Sequence, residues 1–254
     1  MIMKTFSILG TGWLGFALAK ELKKDYSVKV SIRDLEKENQ MISEGLDPYL
    51  LDENNLQNLD SLLNSDFIFI NFPPKKSKDY ITFLENIYSN KNMLNKKVIF
   101  ISSTSIYKNE EGVFDENSPL NNSNSLVFKA ENLIKNKTDI IFRCSGLMGY
   151  NRIAGKYFAG KSLDCEDSKI NYVHRDDVIN ATKFVIENDI SGVFNLCSKI
   201  HPTKKEIYTY NAKRFGFEEP IFKNRKSYEN RIIDGSKIES LGFRYKYPNP
   251  IEYF

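Results

Sequence analysis

The chain has 254 residues, with 36 lysines and arginines against 33 aspartates and glutamates, for a net charge of +3. That near balance gives no argument for a nucleic-acid or membrane partner, and 41% hydrophobic residues suffice for a packed core, which excludes a disordered chain. Three cysteines without metal-ligand spacing exclude a disulfide framework. With no apolar run of about 18 residues and no basic-then-apolar leader, the expected location is cytoplasmic.

The first element, Thr5 to Leu9, is an apolar strand running into Gly10-Thr-Gly-Trp-Leu-Gly15; a helix follows, with Phe16, Ala17, Ala19 and Leu22 spaced for one buried face. Gly-x-Gly-x-x-Gly alone is a weak signal, since glycines gather at any tight turn. Between a strand and a helix it is the dinucleotide-binding pattern. Gly10 permits the turn, Gly12 lets backbone N–H groups approach a pyrophosphate, and Gly15 lets the helix lie close on the sheet. The anion would face the helix N-terminus across Thr11, Trp13 and Leu14.

Residues 27–33 alternate as a second strand, with Val28, Val30 and Ile32 on one face. Its tip is where such a fold reads the adenosine ribose: arginine suits the 2′-phosphate of NADP, an acid the 2′-hydroxyl of NAD. Arg33 comes first and Asp34 follows, with no acid earlier in the strand; this favours NADP, with NAD as the alternative. The structural alternative is that both only face solvent or cap a helix beginning near Leu35. Residues 47–52 form a brief third strand. Residues 66–74 are a continuous apolar run ended by Pro73 and Pro74, a buried parallel strand whose end, with Phe72 and Pro73, opens at the cofactor cleft. Residues 77–90 are helical, with Tyr80, Phe83, Leu84 and Ile87 on one stripe. Residues 97–107 form the next buried strand, ending in hydroxyls that include Ser102 and Ser103 and then in Tyr107. Open α/β folds place ligands at such strand ends, so Ser102 joins the cofactor set, and Ser103 and Tyr107 are the catalytic candidates. Helices over 124–136, 175–188 and 203–215 alternate with strands over 139–144, 170–173 and 192–196. The alternation predicts an α/β, Rossmann-type doubly wound parallel sheet.

Ser102-Ser-Thr-Ser-Ile-Tyr107 followed by Asp115-Glu-Asn-Ser-Pro119 resembles the extended short-chain dehydrogenase/reductases, the NAD(P)-dependent epimerase/dehydratase group. Further pieces match in order: Arg143 to Gly149, Asn171 to Asp177, Gly192 to Asn195, Asp234 to Lys237 and Leu241 to Phe243. The resemblance implies a cofactor domain over 1–145 plus 170–199, and a small discontinuous substrate lobe over 146–169 plus 200–254. Gly10, Gly12 and Gly15 match the family's last three glycines, and Leu9 stands where one more is usual. The family's Tyr-x-x-x-Lys dyad is not found where it belongs. Anchoring on Glu131 puts Ser123 at the tyrosine position and Val127 at the lysine position, while Lys129 lies two residues beyond Val127, about 200° around the helix. Ser103 matches the family's catalytic Ser/Thr. The chain thus resembles an atypical extended member without the dyad.

Other candidates have plainer readings beside them. Tyr107 is a displaced acid, or packs under the following loop. Asp176 or Asp177 is a helix N-cap rather than a base. His201 has no Cys or His partner at ligand spacing, so no metal site is expected, and Cys144 is a buried strand thiol. Ser103 with His174 lacks the glycine elbow of a hydrolase. Arg152, Lys156, Lys161, Arg225 and Arg231 are loop cations; Arg152 and Arg231 are the substrate-binding candidates if the substrate carries phosphate. Tyr150 and Met148 replace the proline and tyrosine usual in the family's substrate loop. The expected function is an NADP-linked oxidoreductase or epimerase-like enzyme on a small polar, sugar-derived or nucleotide-sugar substrate, with a homodimer admitted. The alternative is a dinucleotide-binding sensor without turnover.

Overall fold

A computed structural model of the protein describes residues 3–121, 125–223 and 230–254. In chain order come β1 (Thr5–Leu9), α1 (Trp13–Leu22), β2 (Ser27–Ile32), α2 (Glu38–Ser43), β3 (Asp47–Leu50), α3 (Leu59–Leu63), β4 (Phe67–Ile70), α4 (Tyr80–Ser89) and β5 (Lys97–Ser103). Next are β6 (Gly112–Phe114), α5 (Leu126–Ile134), β7 (Ile140–Cys144), β8 (Gly146–Met148), β9 (Ser162–Asp164), β10 (Tyr172–His174) and α6 (Arg175–Glu187). The chain continues through β11 (Gly192–Leu196), α7 (Lys204–Phe215), β12 (Ile221–Lys223), β13 (Arg231–Ile233) and α8 (Ser236–Ser240).

Seven strands form one parallel sheet in the order β11–β7–β5–β4–β1–β2–β3. β1 lies between β2 and β4, with Ile8 beside Val30 on one side and Phe69 on the other. The order therefore reverses at β1, and the crevice outside its carboxyl end is where open α/β sheets take ligands. Among the described residues no helix is long and apolar enough to cross a membrane.

The chain packs as two compact units: Met1–Ser102, Asn122–Phe142 and Ile190–Gly192 form the first, and Ser103–Asn121, Arg143–Asp189 and Val193–Phe254 the second. This division falls elsewhere than the sequence boundaries at 145, 169 and 199. Hydrogen bonds from Tyr107 to Asn195, from Asn195 N to the Glu116 carboxylate and from Arg143 to Tyr107 gather these distant segments into the second unit.

In the first unit, α1 buries Leu14, Leu18 and Leu22 together with Gly15 and Ala19. These are two i, i+4 rows on one face. Phe16 and Ala17, expected inside, are only half-buried. The sequence reading missed α3, whose Leu59, Leu62 and Leu63 are buried; five residues are too few to display a helical period. α4 buries Tyr80, Phe83, Leu84 and Ile87 as expected and is capped by Asp79, which accepts from Thr82 N. β5 stops at Ser103, because the Ser103 hydroxyl accepts from Ser105 N and opens a 3₁₀ turn over Thr104–Ile106.

In the second unit, three two-stranded parallel ladders form, β8 with β10, β9 with β12 and β6 with β13. Neither Asp176 nor Asp177 caps α6. The cap is His174, whose Nδ1 accepts from Asp176 N at 3.2 Å. Asp177 is fully buried and accepts instead from Lys246 N at 2.7 Å and Tyr247 N at 3.1 Å, pinning the C-terminal segment. Burial raises the Asp177 pKa to about 6 and lowers that of His174 to about 4.

These two groups pull stability in opposite directions with pH. Asp177 binds its proton more tightly folded than unfolded, so its contribution falls as pH rises from about 4 to about 6. His174 binds its proton less tightly folded, so its contribution grows as pH rises from about 4 to about 6.5. Asp177→Asn removes the falling part. Urea denaturation at pH 4.5 and 6.5 should therefore show the variant gaining more stability with pH than wild type, by on the order of 2 kcal/mol.

Candidate functional site

The loop after β1 is shaped by close approach. Gly10 has φ +105°, and a Cβ there would lie 2.5 Å from the carbonyl oxygen of Asn71 at the end of β4. Its N–H donates to Ser31 Oγ of β2 at 2.8 Å. Any other residue at Gly10 meets both a disfavoured backbone conformation and a backbone wall. Gly15 is equally constrained, since a Cβ there would lie 2.3 Å from Gly10 O. Gly12 differs: a Cβ there meets nothing within 4 Å, and its φ of −88° is open to any residue. The protein itself therefore does not require glycine at position 12. The space it leaves open is the space a ligand would need.

A cavity of about 290 Å³ opens there, lined by Gly10, Thr11 and Gly12, by Ile32 and Arg33 from the end of β2, and by Phe72 and Pro73 after β4. Thr11 Oγ1 is buried with no hydrogen-bond partner among the described residues. No side chain caps α1, and its first turn has no acidic residue, so the helix N-terminus keeps its positive character for an anion. A buried hydroxyl lacking a partner, a glycine beside open space and an uncapped helix fit the phosphates of a dinucleotide. The apolar walls, Phe72 and Phe83 with ring centroids 4.9 Å apart and Leu51, suit a flat base.

Part of the cavity lining is cationic. Arg33 contributes to it together with Lys37 and Lys76. The guanidinium donates from Nη1 to the Lys76 carbonyl, and its Nη2 lies 3.2 Å from Glu53 Oε2. Asp34, the acidic alternative for the ribose, turns away and caps the next turn, accepting from Glu36 N at 3.0 Å. Sequence reasoning missed Lys37 and Lys76. Pro74 starting a 3₁₀ turn over Pro74–Lys76 was the available signal that the chain bends back there.

Six of the expected cofactor residues, Gly10, Thr11, Gly12, Arg33, Phe72 and Pro73, meet at this one cavity. Others serve elsewhere: Leu14 is core and Trp13 is half-buried at the start of α1. Ser102 donates to Glu131 Oε2 at 2.7 Å, with both residues buried. That bond faces α5 toward β5. Val127 lies four residues from Glu131 on the same face, and Lys129 is exposed on the other. Ser123 and Arg225 lie outside the described residues.

The catalytic candidates separate. The Ser103 hydroxyl accepts from Ser105 N at 3.1 Å and keeps its own hydrogen to donate. Tyr107 is only 1% exposed. Its hydroxyl donates to Asn195 Oδ1 and accepts from Arg143 Nη1, both at 2.8 Å, and burial raises its pKa. A tyrosine so placed holds the core of the second unit together, and the expectation of a displaced acid at Tyr107 gives way to that role. Arg231 Nη1 donates to the carbonyls of Tyr107 and Lys108, each at 3.3 Å. Arg152 follows a tight turn bonded from Gly149, and burial, then the charge of Arg175, lowers its pKa. A Tyr-x-x-x-Lys string does occur at Tyr157–Lys161. It lies in a turn and not on α5, with Tyr157 77% exposed and Lys161 Nζ 4.0 Å from its ring centre. Burial pushes the Cys144 thiol up to about 12, and His201 Nδ1 sits 3.3 Å from the Ile170 carbonyl.

The fold is a Rossmann-type α/β fold, shared with solved structures of the epimerase/dehydratase group. An NAD-dependent epimerase/dehydratase-type protein from Methylobacillus flagellatus superposes with a TM-score of 0.81 at 20% identity, over 99% of this chain and 96% of the other. The UDP-Glc/GlcNAc 4-epimerase of Campylobacter jejuni gives 0.78 at 17% identity, over 98% and 96%. No protein-family model matches the chain. Protein YeeZ of Escherichia coli K12 is 32% identical over 271 aligned positions, 98% of each chain. The chain belongs to the family of YeeZ.

The three glycines now separate experimentally. Gly12→Val should fold and melt like wild type yet lose dinucleotide binding by a hundredfold or more, the order expected when a phosphate cradle is blocked. Gly15→Val should fail to fold or lose several kcal/mol, on the order of overpacking against backbone. Calorimetric titration and thermal melting of the two variants check this. A Gly12→Val protein that binds normally removes the cavity from consideration.

Proposed function

We propose that this protein binds NADP(H) at the β1–α1 cavity and acts on a small polar, sugar-derived substrate, in the manner of an epimerase or reductase. The observation that carries the first part is that one cavity is lined by two kinds of group. One kind is Gly12 beside open space with the partnerless Thr11 hydroxyl; the other is Arg33, Lys37 and Lys76. Glycines and a helix N-terminus serve the pyrophosphate, and three cations serve a further phosphate. Asp34, the acidic alternative after β2, is engaged as a cap while Arg33 lines the cavity, which favours the 2′-phosphate of NADP over the 2′-hydroxyl of NAD. When bound, the cofactor supplies hydride acceptance and donation.

The substrate class is supported by the fold shared with the Campylobacter enzyme, named for UDP-Glc and GlcNAc. We assign the first unit to the cofactor and the second to the substrate, in a cytoplasmic protein compatible with a homodimer. Ser103 is the residue to orient a substrate oxygen, because its O–H hydrogen is still available. A second reading, a dinucleotide-binding sensor without turnover, is favoured by the enclosed Tyr107 hydroxyl and by Val127 at the lysine position.

Two measurements test these readings. Wild type should bind NADPH at least tenfold more tightly than NADH, and Arg33→Ala should erase most of that lead, since a charge-assisted contact contributes about 1.5–3 kcal/mol. A preference for NADH would return the site to NAD. If a sugar-nucleotide panel reveals turnover, Ser103→Ala should lower kcat about a hundredfold with cofactor affinity intact. A tight complex with no turnover on any member would establish the sensor.

A further inference from the structure

Arg33 is not a loose surface arginine. Its Nη1 donates to the carbonyl of Lys76, in the turn after β4, and its Nη2 is 3.2 Å from Glu53 Oε2, in the turn after β3. Glu53 is fixed in turn: its Oε1 accepts from Lys78 N at 3.0 Å, and its side chain is 12% exposed against 38% for Arg33. The turn that carries it is closed by Asp52, whose Oδ1 accepts from Asn54 N and Asn55 N. Burial opposes ionisation of Glu53, yet the Lys78 N–H and the Arg33 charge hold its pKa below the ordinary glutamate value. The loops after β2, β3 and β4 are thus joined through one guanidinium in the cationic part of the cavity lining.

We propose that Glu53 is a positioning residue that sets the protein's preference between NADP(H) and NAD(H) by holding the Arg33 guanidinium in place beside the cavity. The proposal rests on the NADP reading above. An arginine stem loses considerable rotamer freedom when it is immobilised on a ligand. A guanidinium already ordered by a carboxylate and a carbonyl has lost that freedom before the 2′-phosphate arrives, so more of the contact shows as affinity. Its planar fork has five N–H donors, of which one on Nη1 is given to Lys76 and one nitrogen faces Glu53, leaving donors for a phosphate. NADH has no 2′-phosphate and does not use Arg33, so its affinity is independent of Glu53. Lys37 and Lys76 also line the cavity; they add charge but no comparable fork.

Glu53→Gln is the informative variant, because its amide oxygen still accepts from Lys78 N while the charge facing Arg33 is gone. Glu53→Ala is the second variant. Calorimetric titration of the full chain with NADPH and NADH should show NADPH binding about threefold to tenfold weaker in both variants, the range for releasing one ordered side chain. NADH binding should be unchanged, and Glu53→Gln should stay folded with only a small fall in melting temperature, since the lost charge is one the fold favours. In an Arg33→Ala background, Glu53→Gln should have no further effect, since it acts through Arg33. The proposal is overturned if both nucleotides weaken equally, which marks a merely structural tie. It is also overturned if NADPH binds as well or better, which marks Glu53 as a competing anion. If wild type has no NADPH lead and Arg33→Ala changes nothing, the NADP reading itself fails and takes this proposal with it.

Discussion

The structure depends on one close approach, the backbone of Gly10 lying against the carbonyl of Asn71. β1 and β4 are paired neighbours up to Leu9 and Ile70. Asn71 N still donates to Leu9 O at 2.7 Å, so the two chains separate only at the loop. The absence of a Cβ at Gly10 lets them remain together that far. The absence of one at Gly15 then lets α1 fold back onto the same loop. Both glycines act inside the protein, and only Gly12 acts outward. A single motif thus contains two packing constraints and one opening, which its spelling alone does not distinguish.

Several stretches that resemble the epimerase/dehydratase group turn out to be scaffolding. Glu116 accepts from Asn195 N, Asn195 accepts from Tyr107, and Arg143 donates to Tyr107 and to the Glu116 carbonyl. The Asn195 amide also donates to the Asp234 carbonyl. Four separated segments are joined by buried polar groups that satisfy one another, as buried groups must. A buried arginine whose partners are a hydroxyl and a carbonyl is costly to disturb.

The cationic part of the cavity lining shows a different logic. The groups there come from loops after successive strands, so no sequence window contains more than part of it. Arg33 and Lys37 are near in sequence, but Lys76 and Glu53 reach the same place from elsewhere. Loops at the carboxyl edge of a parallel sheet converge because parallel strands place all their ends on one side.

Much of the fold was legible in the residues. The strand–glycine–helix start, the buried runs at β4 and β5 and the alternation of elements depend on local periodicity and on glycine and proline chemistry, which each stretch carries within itself. That six of the cofactor candidates meet at one cavity was legible for the same reason, since they lie at or just after strand ends. What the residues could not state is where a polar group finds its partner. Asp177 looks like a helix cap from its neighbours, yet it accepts from Lys246 N, 69 positions away. Tyr107 looks like an acid at a strand end, yet its hydroxyl points to Asn195, 88 positions on. Hydrogen bonds and ion pairs are short-ranged in space and indifferent to distance along the chain. Local pattern therefore determined the elements, and tertiary packing decided where buried polar side chains such as Asp177 and Tyr107 find their partners.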